Sequence, residues 1–294
     1  MPGAGAGEAP AVESVPLDLG EREVWLSLTA VGFDDGLVYA FRDLTEERRL
    51  ETMRQDLVAT VSHESRTPLA AIYGAALTLR RADVSLEDEM RSTLLRVIAK
   101  ESARLGEIVN DLLLASQLDS GKLHVQIEAC DPLEIVRSEV EAARAHAPEK
   151  VELELDSPDQ LPVVSADPSQ LRQVVANLID NAIKYSPEGG PVTVSLSPDS
   201  GTVRLAVSDS GIGIPPDERR RIFEKFYRLD PEMTGGIGGT GLGLYICREL
   251  VRRIDGRIWV EENGGRGSTF VVEIPREAAK PAGNGQSATA PILG

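Results

Sequence analysis

His63 combines a nucleophilic side chain with a neighbouring acid and a position that a helix would turn towards solvent. It is one of only three histidines, and Glu64 follows it directly. In an α-helix each residue advances by about 100°, which puts His63 about 140° from the centre of the apolar stripe. An exposed imidazole can act as a nucleophile, and Glu64 could accept a hydrogen bond from one ring nitrogen while the other keeps its lone pair. The stripe comprises Leu50, Leu57, Val61, Pro68, Ile72, Ala75 and Leu79.

A second candidate for chemistry is the polar face of a predicted helix at residues 168–185. Asn177, Asn181 and Lys184 lie within about 60° of one another on a helical wheel. Amide oxygens suit a hard divalent cation, and a lysine suits a phosphate. A solvated polar face is the alternative that involves no chemistry. The opposite side of this helix is apolar and carries Leu171, Val175, Leu178 and Ala182.

The run Asp209-Ser210-Gly211-Ile212-Gly213 follows a predicted strand directly. An acid at the end of a strand can accept a hydrogen bond from the exocyclic amine of a base. The two glycines would let the backbone approach the ring closely, because no Cβ intervenes. On its own such a run also fits an ordinary tight turn.

A glycine-rich segment at residues 235–244 contains six glycines in ten positions and leads straight into an apolar helix. Such a loop at a helix N-terminus binds phosphate through backbone N–H groups. A plain linker is disfavoured because Leu242 and Leu244 continue without a break into the helix. No Gly-Lys-Ser/Thr follows, so a Walker A loop is absent. The segment just before it, 221–228, has aromatic residues that would anchor a short helix, and Arg228 could reach a phosphate.

Two long amphipathic helices are predicted to carry and follow the histidine. The first spans about 45–80, and the second begins with a capping-box-like pair, Ser85 and Asp88, and stops near Gly121. Together they form a helical hairpin. Because one hairpin leaves much of its apolar face wet, two copies should pair into a four-helix bundle.

Beyond residue 122 the pattern changes to strands interleaved with helices. This predicts an α/β layer with a mixed sheet and helices on one face, and therefore a multidomain fold of class α and α+β. Residues 1–15 and 277–294 are rich in Gly, Ala and Pro and are expected to be disordered. The predicted strands are 123–127, 150–155, 192–197, 202–208, 257–262 and 269–274, and the predicted helices are 132–147, 168–185 and 241–253.

Composition excludes several classes of function. The net charge of −16 argues against nonspecific binding to nucleic acid or anionic lipid. No apolar run approaches the roughly 18 residues that cross a bilayer, so no membrane contact is expected from this chain. Cys130 and Cys247 have no CxxC partner, which disfavours a disulfide framework or a zinc site. The expected compartment is a reducing cytoplasm, although a membrane segment further upstream in a longer protein is left open.

These motifs, in this order, resemble those of two-component sensor histidine kinases. Each is modest alone, but their joint occurrence over about 46–276 is highly specific. Residues 62–69 resemble the H box, 177–182 the N box, 209–213 the first glycine box, 223–226 the F box and 239–243 the second glycine box.

The resemblance implies a domain organisation and a reaction. It implies a dimerisation and histidine phosphotransfer hairpin at 46–121 and a Bergerat-type ATP-binding domain, an α/β sandwich, at 122–276. Residues 16–45 look like the last two strands of a PAS-like sensor domain. The implied donor is Mg-ATP, and the implied acceptor is an aspartate on a response-regulator receiver domain.

The resemblance also implies roles for individual residues. His63 resembles the phosphoacceptor, Glu64 the acid that orients it, and Thr67 the position linked to dephosphorylation of the regulator. Asn181 resembles the magnesium ligand, and Asn177 helps to position the metal and the phosphates. The other positions implied to bind the nucleotide are Lys184, Tyr185, Asp209, Gly211, Gly213, Arg228, Gly239, Thr240, Gly241, Leu242 and Gly243.

One position departs from the family pattern, and two alternative functions stay open. Ser65 stands where the family usually has leucine, which forfeits on the order of 1–2 kcal/mol of burial per protomer. One alternative is a catalytically silent dimer that binds ATP and scaffolds a regulator. The other is a gyrase-like or chaperone-like ATPase, but those enzymes use a glutamate where this chain has Asn177 and lack a preceding hairpin with an exposed histidine.

Overall fold

The computed structural model describes residues 12–18, 23–33, 36–81, 86–229, 239–263 and 266–277. The chain divides into two compact units, Met1–Ala70 and Ala71–Gly294. The disorder predicted for residues 1–11 and 278–294 falls outside the described residues.

The first unit opens with a three-stranded antiparallel sheet. Its strands are β1 (Val12–Asp18), β2 (Glu23–Phe33) and β3 (Gly36–Asp43), with β2 in the centre. The sequence predicted only two strands here and disorder up to residue 15, so the structure corrects this boundary. Val15 and Leu17 alternate along β1 and pair with Leu26 and Val24 of β2. Pairing with β1 satisfies backbone groups on an edge of β2 that would otherwise be open.

Helix α1 (Thr45–Arg80) begins directly after this sheet and has the predicted bounds. Its start is fixed by three hydrogen bonds. The N–H of Leu44 donates to the Trp25 carbonyl at 2.7 Å, and the N–H of Trp25 donates to Thr45 Oγ1 at 2.9 Å. The Asp43 carboxylate accepts from the N–H of Thr45 at 2.9 Å, as expected of an acid before a helix. The helix continues through Pro68.

Helix α2 (Asp88–Asp119) opens the described part of the second unit after α1. The predicted capping box at Ser85 is wrong, because the helix starts at Asp88 and its N-cap, Glu87, makes no side-chain capping bond. Instead, Asp88 and Glu89 place negative charge in the first turn, where it stabilises the positive end of the helix dipole.

The rest of the second unit is a mixed sheet with three helices packed against it. The elements are β4 (Glu128–Cys130), α3 (Pro132–Arg144), β5 (Val151–Asp156), β6 (Val164–Ala166), α4 (Pro168–Lys184), β7 (Gly190–Asp199), β8 (Thr202–Ser208), α5 (Gly243–Arg253), β9 (Arg257–Glu262) and β10 (Ser268–Pro275), with a short 3₁₀ helix at Arg221–Phe223. Strand order in the main sheet is β5-β7-β8-β10-β9, and only β5 and β7 run parallel. Strands β4 and β6 form a separate pair.

The strand predicted at 123–127 is wrong. The N–H of Gln126 donates to Asp167 Oδ2 at 2.9 Å, so this alternating segment is held by a side chain at the start of α4 and not by a neighbouring strand. The strand of this region is β4, and it pairs with β6, which the sequence did not predict. Among the described residues, no helix combines the length and apolar character needed to cross a membrane.

The core of the second unit confirms the apolar side predicted for α4. Asp167 caps that helix by accepting from the N–H groups of Ser169 and Gln170, and Pro168 occupies its first turn. Two residues of α2, Ala115 and Leu118, are also buried in this core. The buried residues of α4 are Leu171, Val174, Val175, Leu178, Ile179 and Ala182.

Candidate active site

The candidate phosphoacceptor is exposed on α1, as the helical wheel predicts. The side chain of His63 is 76% exposed, whereas that of Glu64 is 5% exposed. His63 Nδ1 and Glu64 Oε1 are 3.8 Å apart, which is longer than a hydrogen bond but close enough for the carboxylate to act on the ring electrostatically. Thr67 is exposed one turn further on. The burial of Glu64 is not evident from the sequence.

The second unit contains a cleft that is lined by residues from several separate elements. Five residues proposed from the sequence line it: Asn181, Tyr185, Asp209, Gly213 and Arg228. The fold therefore brings together the polar face of α4, the loop after β8 and the segment after the 3₁₀ helix. The remaining lining residues, most of them apolar and not singled out by the sequence, are Ile212, Ile214, Ile222, Tyr227, Leu229, Leu244, Ser268 and Phe270.

Asp209 is the buried acid of this cleft, with 4% of its surface exposed. Its Oδ1 accepts from the N–H of Gly211 at 2.8 Å and from the N–H of Ser268 at 3.2 Å. Burial raises the pKa of this carboxyl, and the two backbone hydrogen bonds oppose that rise. Since both bonds use Oδ1, the orientation of the carboxylate is fixed, and Oδ2 is the atom that can receive a ligand donor.

Gly211 is required by a close approach of two backbone segments. A Cβ at this position would lie 2.1 Å from the carbonyl oxygen of Tyr185 at the end of α4. Gly213, with φ +75°, adopts a backbone conformation that favours glycine. Gly211 therefore lets the loop after β8 lie against the end of α4, whereas the nearest backbone to Gly213 is that of Gly267, before β10.

The end of the glycine-rich segment packs against the aromatic segment before it. The N–H of Phe226 donates to the Gly241 carbonyl at 3.0 Å, and a Cβ on Gly241 would lie 2.7 Å from the Phe226 carbonyl carbon. Lys184 reaches the same segment, because a Cβ on Gly239 would lie 2.4 Å from its Nζ. Residues 235–238 of this segment, and residues 230–234 before it, lie outside the described residues.

Several proposed nucleotide residues flank the cleft without lining it. Asn177 lies at the N-terminus of α5, where its Nδ2 is 3.5 Å from the Gly243 carbonyl. The side chain of Leu242 is fully buried. Its backbone N–H donates to Thr240 Oγ1 at 3.2 Å. Only the backbone of Leu242 can therefore serve a ligand.

Two acids of α2, which sequence reasoning missed, face this part of the second unit. Asp111 accepts a hydrogen bond from Thr240, and burial followed by the charge of Glu107 raises its pKa to about 6. Asp119 accepts from Lys225 Nζ and from the Tyr245 hydroxyl, each at 2.5 Å. Their spacing of eight residues puts them on one helix face, but nothing in the sequence shows what that face contacts.

Comparison with known proteins identifies the family. Residues 53–121 match the His Kinase A (phospho-acceptor) domain, and residues 166–278 match the histidine kinase-, DNA gyrase B- and HSP90-like ATPase family. The chain is 35% identical over 266 residues to the sensor histidine kinase WalK of Bacillus subtilis (strain 168), covering 87% of this chain and 43% of WalK. The chain belongs to the sensor histidine kinases. It spans less than half the length of this relative.

Solved structures agree with the fold. Full-length ShkA in complex with AMPPNP is 33% identical and superposes with a TM-score of 0.56, covering 75% of this chain and 46% of ShkA. Histidine kinase ThkA in complex with the response regulator protein TrrA is 24% identical, with a TM-score of 0.55 and coverage of 91% and 79%. The fold is thus a long helical hairpin followed by a mixed α/β domain.

Proposed function

We propose that this protein transfers the γ-phosphoryl group of Mg-ATP to His63 and then passes it to an aspartate of a response-regulator receiver domain. The observation that carries the proposal is the cleft, in which a buried acid, an amide, a tyrosine and an arginine from separate elements converge. ShkA, a relative of known structure, binds the ATP analogue AMPPNP. His63, exposed on α1 within the matched phospho-acceptor segment, supplies the nucleophile.

The cleft fits an adenine nucleotide. Asp209 Oδ2 accepts from the exocyclic amine, and side chains such as Ile212, Ile214 and Phe270 cover the faces of the ring. Arg228 and Lys184 neutralise phosphate charge, which is the main task of a protein in phosphoryl transfer. Tyr185 lies beside Lys184, whose Nζ is 5.1 Å from the ring centroid.

The donor set also fits magnesium that arrives with the nucleotide. Among the residues that the structure describes, no cluster of three or more His, Cys, Asp or Glu side chains could hold a metal ion. Magnesium is usually bound by one or two protein ligands together with substrate phosphates, and the Asn181 amide oxygen in the cleft is such a ligand. The ion would neutralise charge on the phosphate oxygens.

In the transfer step one nitrogen of His63 forms a bond to the γ-phosphorus, and the bond from phosphorus to the ADP oxygen breaks. Nδ1 is the ring atom nearer the Glu64 carboxylate, which favours the proton on Nδ1 and leaves the Nε2 lone pair for attack. Exposure of His63 gives a receiver domain access to the phosphorylated ring. We assign to the Thr67 hydroxyl, one turn away, a role in dephosphorylating the regulator.

We further infer that the active form is a homodimer. Helix α2 exposes large apolar side chains over much of its length, including Leu95, Val109 and Leu113, each more than half exposed. A second copy of the hairpin would remove them from water and complete a four-helix bundle.

The experiment that tests the proposal is incubation with γ-labelled ATP and magnesium. We expect an acid-labile, base-stable label that is lost in His63→Ala and kept in His124→Ala, a control that removes another exposed histidine. The affinity for ATP should be unchanged in both variants, because neither residue lines the cleft. Binding of ATP without any labelling of the wild-type protein would favour the alternative function, a silent scaffold for a regulator.

A further inference from the structure

Tyr227 is an aromatic residue of the cleft whose hydroxyl is bound by a residue outside the cleft. Tyr227 lines the cleft, whereas Glu218 does not, and the Tyr227 hydroxyl donates to Glu218 Oε2. A phenol has a single proton to donate, so this proton is not available to a nucleotide. Burial, followed by the hydrogen bond to Glu218, raises the pKa of Tyr227, which keeps the hydroxyl protonated and therefore a donor.

Arg221 holds the same ring from one face. Its guanidinium carbon is 4.5 Å from the centroid of the Tyr227 ring, and a cation in this position is attracted by the negative face of the ring. Its Nη1 also donates to Glu218 Oε1 at 3.1 Å, and Arg221 does not line the cleft either. Glu218 and Arg221 therefore form a clamp that fixes Tyr227 by its hydroxyl and by one face, so a ligand can stack only on the opposite face.

The clamp is itself anchored in the turn before the 3₁₀ helix. The N–H of Glu218 donates to the Pro215 carbonyl, and its carbonyl accepts from the N–H of Ile222, each at 3.0 Å. Tyr227, in contrast, lies outside any helix or strand and follows Phe226, whose φ of +65° is uncommon for a residue other than glycine. The regular part of the segment thus holds the irregular part through the side chain of Glu218.

We propose that Glu218 is a positioning residue for the nucleotide, which acts through Tyr227 by holding an aromatic wall against the nucleoside part of ATP. The inference rests on the proposed function, because it takes the ligand of the cleft to be an adenine nucleotide. Aromatic rings prefer offset or edge-to-face contacts with one another, so the contact depends on the orientation of the Tyr227 ring. Holding that ring in place before the ligand arrives removes an entropy cost from binding.

The test measures the dissociation constants of adenosine and of Mg-ATP by calorimetry. We expect Glu218→Ala and Tyr227→Phe each to weaken both ligands by the same factor, about threefold to tenfold, which is the range for one hydrogen bond. The double variant should lose no more than either single one, because both changes remove the same bond. Glu218→Gln keeps an acceptor for the hydroxyl and should restore most of the affinity.

A kinetic measurement separates binding from the transfer step. The KM for Mg-ATP in autophosphorylation should rise in Glu218→Ala with kcat unchanged, because a wall that holds the nucleoside acts equally in the ground state and the transition state. Glu249→Ala is the matched control. Glu249 pairs with Arg252 at the same spacing of three residues, its side chain is 23% exposed against 19% for Glu218, and it does not line the cleft. This variant should leave both dissociation constants and the KM unchanged.

Three results would overturn the inference while the proposed function stands. A loss confined to Mg-ATP would place the effect at the phosphates. Equal losses in Glu218→Gln and Glu218→Ala would show that the hydrogen bond to Tyr227 is not the cause. A lower free energy of unfolding in Glu218→Ala, with both dissociation constants unchanged, is the result expected of a purely structural ion pair. If wild-type protein bound neither adenosine nor Mg-ATP, the proposed function itself would fall, and the inference with it.

Discussion

Asp209→Asn provides the sharpest test of the base-binding end of the cleft, because the structure fixes how the new amide must lie. In the wild-type protein Oδ1 accepts two backbone N–H groups, from Gly211 and Ser268. An asparagine keeps both bonds only with its oxygen in that place. Its Nδ2 then replaces Oδ2 and presents a donor to the adenine amine, which is also a donor.

The expected loss follows from one hydrogen bond to a charged acceptor, worth about 1.5–3 kcal/mol. This corresponds to a dissociation constant for Mg-ATP that rises by roughly 10-fold to 150-fold. Guanine has a carbonyl oxygen where adenine has its amine, so the preference for ATP over GTP should fall or reverse. Folding should not suffer, since burial raises the pKa of the Asp209 carboxyl and the neutral amide avoids that cost.

The sign of the pH dependence separates this account from simple unfolding. An acid whose pKa is raised in the folded state lowers the free energy of unfolding once the pH rises above the pKa that the acid has in the unfolded chain. The loss is complete when the pH is above the pKa in the folded protein. Asp209→Asn should therefore be at least as stable as wild type to urea at neutral pH, with the difference narrowing as the solution is acidified. Titration with Mg-ATP and Mg-GTP gives the affinities, with the exposed Asp217→Asn as control. An undiminished preference for ATP in a folded Asp209→Asn protein would refute the assigned orientation.

Three further changes probe other parts of the chain. Asn181→Ala should lose the magnesium-dependent labelling of the protein by γ-labelled ATP, and full labelling would exclude Asn181 as a metal ligand. Gly241→Ala should lower the free energy of unfolding by about 2–4 kcal/mol in urea melts, because its φ of +67° and the Phe226 backbone leave no room for a Cβ. The same change at Gly106, in open space within α2, should raise the free energy of unfolding by about 0.5–1 kcal/mol. Equal effects of alanine at Gly241 and Gly106 would contradict this reasoning. Ser65→Leu should raise the melting temperature by an amount equivalent to about 1 kcal/mol per protomer, because Ser65 is half-buried, whereas an unchanged melting temperature would reject an underpacked bundle.

The parts of the fold that the sequence predicts well are those with long periodic patterns or strong caps. Helix α4 shows its apolar side at helical spacing and starts with an Asp-Pro pair, and its buried residues are those expected. Strands β4 and β6 have three residues each, too few for a period-2 pattern to be distinguished from a loop. Their pairing depends on a contact between residues about 36 positions apart, which no local pattern encodes.

The site shows the same division between local pattern and long-range contact. Spacing on α4 predicts that Asn181 and Lys184 share a face, and the motifs predict Asp209 and its glycines. The apolar wall of the cleft comes from elements distant in sequence, for example Ile222 of the 3₁₀ helix and Phe270 of β10. Which faces meet is decided by packing of the whole unit, so neither these residues nor Asp111 could be assigned from the sequence.

The end of α2 shows that motif boundaries and packing boundaries differ in this chain. The proposed division between hairpin and ATP-binding domain falls at residues 121 and 122, yet Ala115 and Leu118 are buried in the core of the second unit. The Arg253 guanidinium of α5 donates to the carbonyls of Leu118 and Leu123, each at 3.1 Å, on either side of that division. Because these contacts join the last turns of α2 to α5, those turns pack as part of the α/β core, although the motif boundary assigns them to the hairpin.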